Sequence, residues 1–401
     1  MRILGILHLP LLAAFVSSCV ANNPGDSLAI AKNVNDDGCT VVSNDHRGFW
    51  IGVNSCQSDT ALKTALHNKI KNHRVVKYTE NSSAIPSGYN NFATVTDNML
   101  FLDSFSAAIP ERFDVWDYFT ALALKNGNSR GITCPAKNRI YDVYSGYCYS
   151  PAGKLAATAP ATIDDIPQLF NHTNGNDQAL MNREHAWPNS WFKSATAVND
   201  PSTGNYCYDG NNDSNYNNFN DYRAFTDIHA LLPTESTSNQ TGRSDYPYGI
   251  TTAPTITYSS TGGKAASPNT GGRQGPPNHS LITQGAYTSG GPASDQVPLA
   301  VTVIFDPPDH IKGDIARIYF YMATRYYTED TCWRGDSSAS PPLAVDKANI
   351  KTWQEKMLRK WHNDDPVDEG ERIKNDLIHR IQGNRNPFVD HPEWVAKIAD
   401  F

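Results

Sequence analysis

The run Asn182-Arg183-Glu184-His185-Ala186-Trp187-Pro188-Asn189-Ser190-Trp191-Phe192 sits some forty residues ahead of Thr226-Asp227-Ile228-His229-Ala230-Leu231-Leu232-Pro233. Ser238-Asn239-Gln240-Thr241-Gly242-Arg243 follows shortly after the second run. Adjacent residues of an extended strand point to opposite faces, so Glu184 and His185 reach one centre only if the backbone turns there. Pro188, behind the bulky Trp187, gives the strand a reason to end at that point. The hard oxygen of Glu184 suits Mg²⁺, which takes oxygens in near-octahedral geometry. The imidazole of His185 suits proton abstraction near neutral pH, because its ordinary pKa lies close by. A Glu-His pair is weak evidence in isolation. The HExxH pattern of zinc proteases is absent.

Asn239 offers a neutral carbonyl oxygen, a second ligand type for a hard cation, and is equally suited to capping a turn. The Asp227-x-His229 spacing, read as a strand, puts both side chains on one face, where they pair and orient each other in a supporting role. Arg243 reads as a surface cation or as a phosphate clamp, its planar fork matching two phosphate oxygens.

Outside these segments the chain reads as scaffold. Leu62, Leu66 and Ile70 recur every four residues over 59–74, predicting an amphipathic helix opened by Ser58 or Asp59. Residues 140–149 alternate like a strand, residues 205–220 form an Asn-rich loop, and residues 251–296 read as a Gly/Ser/Thr/Pro-rich surface insertion. Ile315, Ile318, Tyr319, Met322 and Tyr326 form one helical stripe, and Ile350, Trp353, Met357, Leu358 and Trp361 a second. Asp368 and Glu371 have capping-box spacing ahead of Ile373, Leu377 and Ile381. These stripes are core faces and carry no chemistry.

The N-terminus is an export address. Arg2 precedes an apolar run from Ile3 to Val16 that is too short to span a bilayer as a finished helix. Val16-Ser17-Ser18-Cys19 resembles a lipobox, which would place a lipid anchor on Cys19, while Cys19-Val20-Ala21 has the shape of an ordinary signal-peptidase site. Both stay open. The mature chain is then secreted, periplasmic or an outer-membrane lipoprotein. Six cysteines remain (Cys39, Cys56, Cys134, Cys148, Cys207 and Cys332), an even number that fits three disulfides in an exported protein. The most local pairing is Cys39–Cys56, Cys134–Cys148 and Cys207–Cys332; six cysteines allow roughly 15 connectivities. No CxxC pair occurs, which removes the zinc-ribbon and thioredoxin readings.

The 401 residues carry 34 Lys+Arg against 41 Asp+Glu, a net charge of −7, which argues against a polybasic protein held on nucleic acid by charge alone. It leaves room for an enzyme that grips a polyanion through a metal ion and a few arginines. Hydrophobic residues at 39% suffice for a large core. Residues 1–21 read as the signal, 22–58 as an extended leader, and 59–401 as one domain.

Three runs together resemble the endonuclease I family: NREHAWPNSWF, TDIHALLPTESTSNQTGRSDYPYG and the C-terminal IQGNRNPFVDHPEWV. The LKTALHNKIKNH helix and the Gly313-Asp314-Ile315-Ala316-Arg317 segment are similar to that family as well, so the blocks run in order from Leu62 to Val395. The resemblance implies an exported bacterial nuclease. Its fold is an α+β single domain around a ββα-metal (His-Me finger) centre, with long loop insertions. It implies His185 as general base acting on water, and Glu184 and Asn239 as protein ligands of one divalent ion. That ion is normally Mg²⁺, with Mn²⁺ or Ca²⁺ able to occupy the site. Arg243 then matches a phosphate-contacting Arg in an Asn-x-x-Arg stretch, although here one extra residue intervenes; Arg223 is a weaker second candidate. The expected partners are DNA, with RNA left open, and no small-molecule cofactor; the expected state is a monomer. The implied reaction is metal-assisted phosphodiester hydrolysis to 5′-phosphate and 3′-hydroxyl ends with little sequence preference. The competing reading is a catalytically inactive nuclease-fold protein that binds nucleic acid or a surface partner. The intact Glu184, His185 and Asn239 argue against it.

Overall fold

The computed structural model describes residues 48–76, 181–191, 223–251, 303–328 and 348–401 with few gaps, together with isolated positions and short strand pairs between them. Residues 1–21, expected to be a signal, lie outside the described residues.

The described residues mix helices and short strands, a content compatible with an α+β fold, and a helix lies at their centre. Helix α1 (Asp59–Ile70) buries Leu62, Leu66 and Ile70, the face that the four-residue spacing predicts. It packs on α2 (Lys312–Arg325), which is buried along its whole length from Gly313 onward. The predicted stripe of α2 is buried, and its polar face is covered too. Arg317 on that face forks onto Glu371, with Nε to Oε1 and Nη2 to Oε2 both at 2.6 Å. A buried charge is tolerable only with such a bidentate partner. Gly313 is required at the start of α2, where a Cβ would lie 2.0 Å from the carbonyl oxygen of Asp365.

Helix α3 (Thr352–Asp364) buries Trp353, Met357, Leu358 and Trp361 along the predicted stripe; Ile350 lies ahead of the helix and its N–H donates to Phe401 O at 2.6 Å. Helix α4 (Glu369–Gln382) opens with the capping box that the sequence predicts. Its Asp368 side chain accepts from Glu371 N–H, and the Glu371 side chain accepts from Asp368 N–H. It closes on Gly383 at φ 91°, the left-handed position where glycine avoids a Cβ clash.

Strands are short. Strand β1 (Ile140–Tyr141) pairs with β2 (Cys148–Tyr149), and β3 (Met181–His185) pairs antiparallel with β4 (Leu231–Glu235). The β3–β4 register sets Glu184 opposite Leu232 and His185 opposite Leu231. Strand β5 (Arg273–Gly275) pairs with β6 (Ile304–Asp306), so part of the 251–296 insertion joins a sheet.

Residues upstream of position 59 take part in the core. Trp50 is fully buried, its Nε1–H donates to Asp390 Oδ2 at 2.8 Å, and Val53 packs nearby. The packed body therefore includes the end of the segment expected to be a leader. Cys56 is disulfide-bonded; the three predicted pairings involve cysteines outside the described side chains. Among the described residues no helix is long and apolar enough to cross a membrane.

Candidate active site

The site is assembled on the β3–β4 pair. Asp142, fully buried, accepts from Thr234 Oγ1 at 2.6 Å and from the backbone N–H of Tyr144 at 3.1 Å. Val143 N–H donates to Pro233 O at 3.3 Å. These bonds clamp the turn after β1 against β4 and aim Tyr144 at Glu184. The Tyr144 hydroxyl donates to Glu184 Oε1 at 2.8 Å and is hydrogen-bonded to the Tyr248 hydroxyl.

Glu184 is almost completely buried, and burial pushes its carboxyl up to about 7 while Arg243 and Tyr144 pull the other way. Arg243 Nε lies 3.5 Å from the same Oε1. Both contacts fall on one oxygen. Among the described residues Oε2 takes no hydrogen bond.

His185 is the last residue of β3. Its Nε2 is 2.8 Å from Phe225 O, and its ring lies 4.6 Å from the Phe225 ring. A carbonyl oxygen only accepts, so Nε2 carries the proton and Nδ1 carries the lone pair. Burial lowers the imidazole to about 4, which keeps it neutral at physiological pH.

Asn239 is the second residue of a wide turn. Residues Ser238–Arg243 wind as a π-helix, closed by Ser244 N–H donating to Asn239 O at 2.7 Å. Such windings absorb one extra residue and cluster at functional sites. The Asn239 side chain is half-exposed and makes no hydrogen bond among the described residues.

The placement of Arg243 differs from a surface clamp. It is fully buried, with Nη1 donating to Ser244 O at 3.1 Å and to Tyr246 O, and Nη2 donating to Ala186 O at 3.2 Å. Its guanidinium stacks 4.1 Å over the Tyr248 ring. The structure brings Arg243 and Glu184 together and thereby ties the Asn239 turn to the end of β3. It shows no direct contact between Glu184 and Asn239.

The expectation that Asp227 and His229 share one face of a strand is corrected. Asp227 caps a 3₁₀ turn (Ile228–Ala230), and the strand begins only at Leu231. The Asp227 carboxylate accepts from His229 N–H at 3.1 Å, a local bond that competes with strand geometry. It also accepts from Tyr321 and Tyr326 hydroxyls at 2.8 and 2.9 Å and from Gln382 Nε2 at 2.8 Å. Asp227 therefore fastens the Phe225 segment to α2 and α4, which fixes the carbonyl that holds His185. The His229 ring lies 4.4 Å from that of Tyr321.

A buried carboxylate with one oxygen pinned and one open, near an amide-bearing turn, fits a hard cation that keeps several of its own waters. Among the described residues no group of three or more His, Cys, Asp or Glu is placed to hold a metal, so a structural-zinc cage is absent there. Sequence reasoning missed Asp142, Tyr144, Tyr248 and the Phe225 carbonyl. The alternating 140–149 segment marked a strand, but nothing local marked Tyr144 as the partner of a residue forty positions away.

A family model described as Endonuclease I matches residues 58–393. The extracellular ribonuclease of Bacillus amyloliquefaciens is 26% identical over 325 residues, covering 76% of this chain and 86% of that protein. The extracellular ribonuclease of Bacillus subtilis (strain 168) is 40% identical over 103 residues, 23% of this chain and about a third (32%) of the relative's own length. The extracellular deoxyribonuclease of Aeromonas hydrophila is 31% identical over 84 residues, 21% of this chain and 28% of that protein.

Proposed function

Because the chain belongs to the endonuclease I family, and is thus a phosphodiester hydrolase, we propose that it is an exported, Mg²⁺-dependent endonuclease with little sequence preference that cuts DNA and RNA. The observation that carries this reading is the Glu184 carboxylate, pinned through Oε1 by Tyr144 and Arg243 with Oε2 left open, one residue from a neutral, tautomer-fixed His185.

Glu184 and Asn239 hold the divalent ion, for which Mn²⁺ or Ca²⁺ can substitute, within a ββα-metal centre made by β3, β4 and the Ser238–Arg243 turn. When bound, the ion supplies Lewis-acid chemistry, drawing charge from the scissile phosphate and from the departing 3′ oxygen. His185 takes the proton of the attacking water at Nδ1, and the Nε2–H···O=C bond to Phe225 orients the ring and stabilises the imidazolium that forms. Arg243 acts on Glu184, holding the carboxylate in place from inside; it does not clamp phosphate directly. The products carry 5′-phosphate and 3′-hydroxyl ends.

The names of the relatives, ribonucleases and a deoxyribonuclease, support both substrate classes. Those relatives are extracellular by name, and the apolar run after Arg2 supports export by the same route. Duplex DNA, single-stranded DNA and RNA incubated side by side, with Mg²⁺ or with EDTA, test the substrate range. The expected result is cleavage of all three with Mg²⁺ only and 5′-phosphate ends; cleavage that persists in EDTA, or 3′-phosphate ends, contradicts it.

A further inference from the structure

We infer that Lys71, Arg74 and Arg223 form one cationic edge that holds the phosphate backbone of the nucleic-acid strand leading into the site; this rests on the nuclease reading above. Several described cations are paired with carboxylates. Arg372 pairs with Glu369 at 3.9 Å, Lys312 with Asp309 at 2.6 Å, Lys374 with Asp314 at 2.7 Å, Arg359 with Glu355 at 2.5 Å, and Lys360 with Asp364. The three residues of the edge pair with no carboxylate among the described residues.

They are also neighbours. Arg223 Nη1 donates to Lys71 O at 3.4 Å, and Arg74 follows Lys71 by three positions on the segment leaving α1. Arg74 Nη1 donates to Ile381 O at 3.0 Å, and Lys71 Nζ donates to Asn68 Oδ1 at 2.8 Å. Each guanidinium spends one N–H on a helix-terminal carbonyl. That anchors the side chain and leaves most of a five-donor fork directed elsewhere. Arg74 and Arg223 are exposed and Lys71 is half-buried.

The edge lies beside the chemistry. Arg223 opens the helical turn Arg223–Thr226, and Phe225 of that turn holds His185 through its carbonyl. Arg223 is thus two residues from the group that orients His185. In a protein of net charge −7, three neighbouring cations with no carboxylate partner among the described residues complement a polyanion. Contacts of this kind position the backbone and carry no base information. Helix-dipole capping alone accounts for cations near the ends of α1 and α4, and the test separates the two roles.

The experiment measures binding of a fluorescent duplex, and of the matching RNA strand, to full-length His185→Ala protein with Mg²⁺ over a salt series. Variants add Arg74→Gln, Arg223→Gln, or both with Lys71→Ala. Each lost phosphate contact should flatten the slope of log K against log salt by about 0.9 on duplex, and the triple variant should bind roughly tenfold more weakly or worse. Thermal melting of each single variant checks folding. Lys360→Ala with Arg372→Gln, which removes paired cations, should leave the slope unchanged. If the edge variants melt lower but keep the parental slope, the three residues are caps and the proposal is wrong. If the parent itself shows no salt-dependent binding to either probe, the nuclease reading fails and the edge with it.

Discussion

Arg243 Nε and Glu184 Oε1 stand 3.5 Å apart inside the protein, with both side chains sealed from solvent. This pair links the end of β3 to the turn that carries Asn239, so the metal-ligand candidates are coupled through a cation that never reaches the surface. Truncating one partner of a buried pair leaves the other charge uncompensated, which costs about 3–5 kcal/mol. Arg243→Gln is expected to lose stability on that scale in urea unfolding and to weaken Mn²⁺ binding in the same sample. A variant with native stability and native Mn²⁺ affinity rules out the positioning role.

Tyr144 is expected to orient the Glu184 carboxylate for the ion. Outer-shell partners of metal ligands typically contribute on the order of 10–100-fold in affinity. Tyr144→Phe keeps the ring in the core and removes only the donor to Oε1. Isothermal titration with Mn²⁺ should show that loss, and an unchanged dissociation constant would dismiss the hydroxyl as a tuning group.

Asp227→Ala leaves the Tyr321 and Tyr326 hydroxyls, Gln382 Nε2 and the N–H of His229 without their buried acceptor. Each unsatisfied buried group costs about 1–3 kcal/mol. Far-UV and near-UV circular dichroism should show a protein that is unfolded or close to it at room temperature. A well-folded Asp227→Ala would mean that the Phe225 segment is held by other contacts.

Much of the scaffold is legible in the sequence, because its signals are local. The four-residue spacing of α1 and the Asp368/Glu371 capping box each lie within one helix. Glu184 and His185 stand out in the sequence as candidates by chemistry, a hard oxygen beside an imidazole. Tyr144 and Tyr248 do not, since they meet Glu184 from segments with no pattern in common. Arg243 reads in the sequence as a surface cation or a phosphate clamp; its burial is not legible there, because sequence does not show that the carbonyls of Ala186, Ser244 and Tyr246 converge on it. The strand reading of Asp227-x-His229 failed on a local hydrogen bond, in which the carboxylate captures the N–H two residues on.

Burial holds His73 and His229 near 3, well below their unfolded value of about 6.5. The unfolded chain therefore binds protons first, and stability is full above about pH 6.5 and falls as pH drops toward 3, by up to about 1.4 kcal/mol per pH unit for each ring. Glu184, pushed up to about 7, works in the opposite direction between pH 7 and its unfolded value of 4.5, because there the folded state binds the proton first. Below pH 4.5 that opposition ends. Urea unfolding across pH 7 to 3.5 should show a loss of stability that sets in below about pH 6.5 and steepens below 4.5; a flat profile would contradict neutral burial of these rings.

The central claim is that His185 abstracts a proton in a reaction that needs the ion held at Glu184. Nicking of supercoiled plasmid by wild type and by His185→Ala, each with Mg²⁺ and with EDTA, tests it directly. Wild type should nick with Mg²⁺ and stop in EDTA, and His185→Ala should lose about 10²–10⁴-fold in rate while binding Mn²⁺ as wild type does. Nicking by wild type in EDTA, or by His185→Ala at the wild-type rate, contradicts the account.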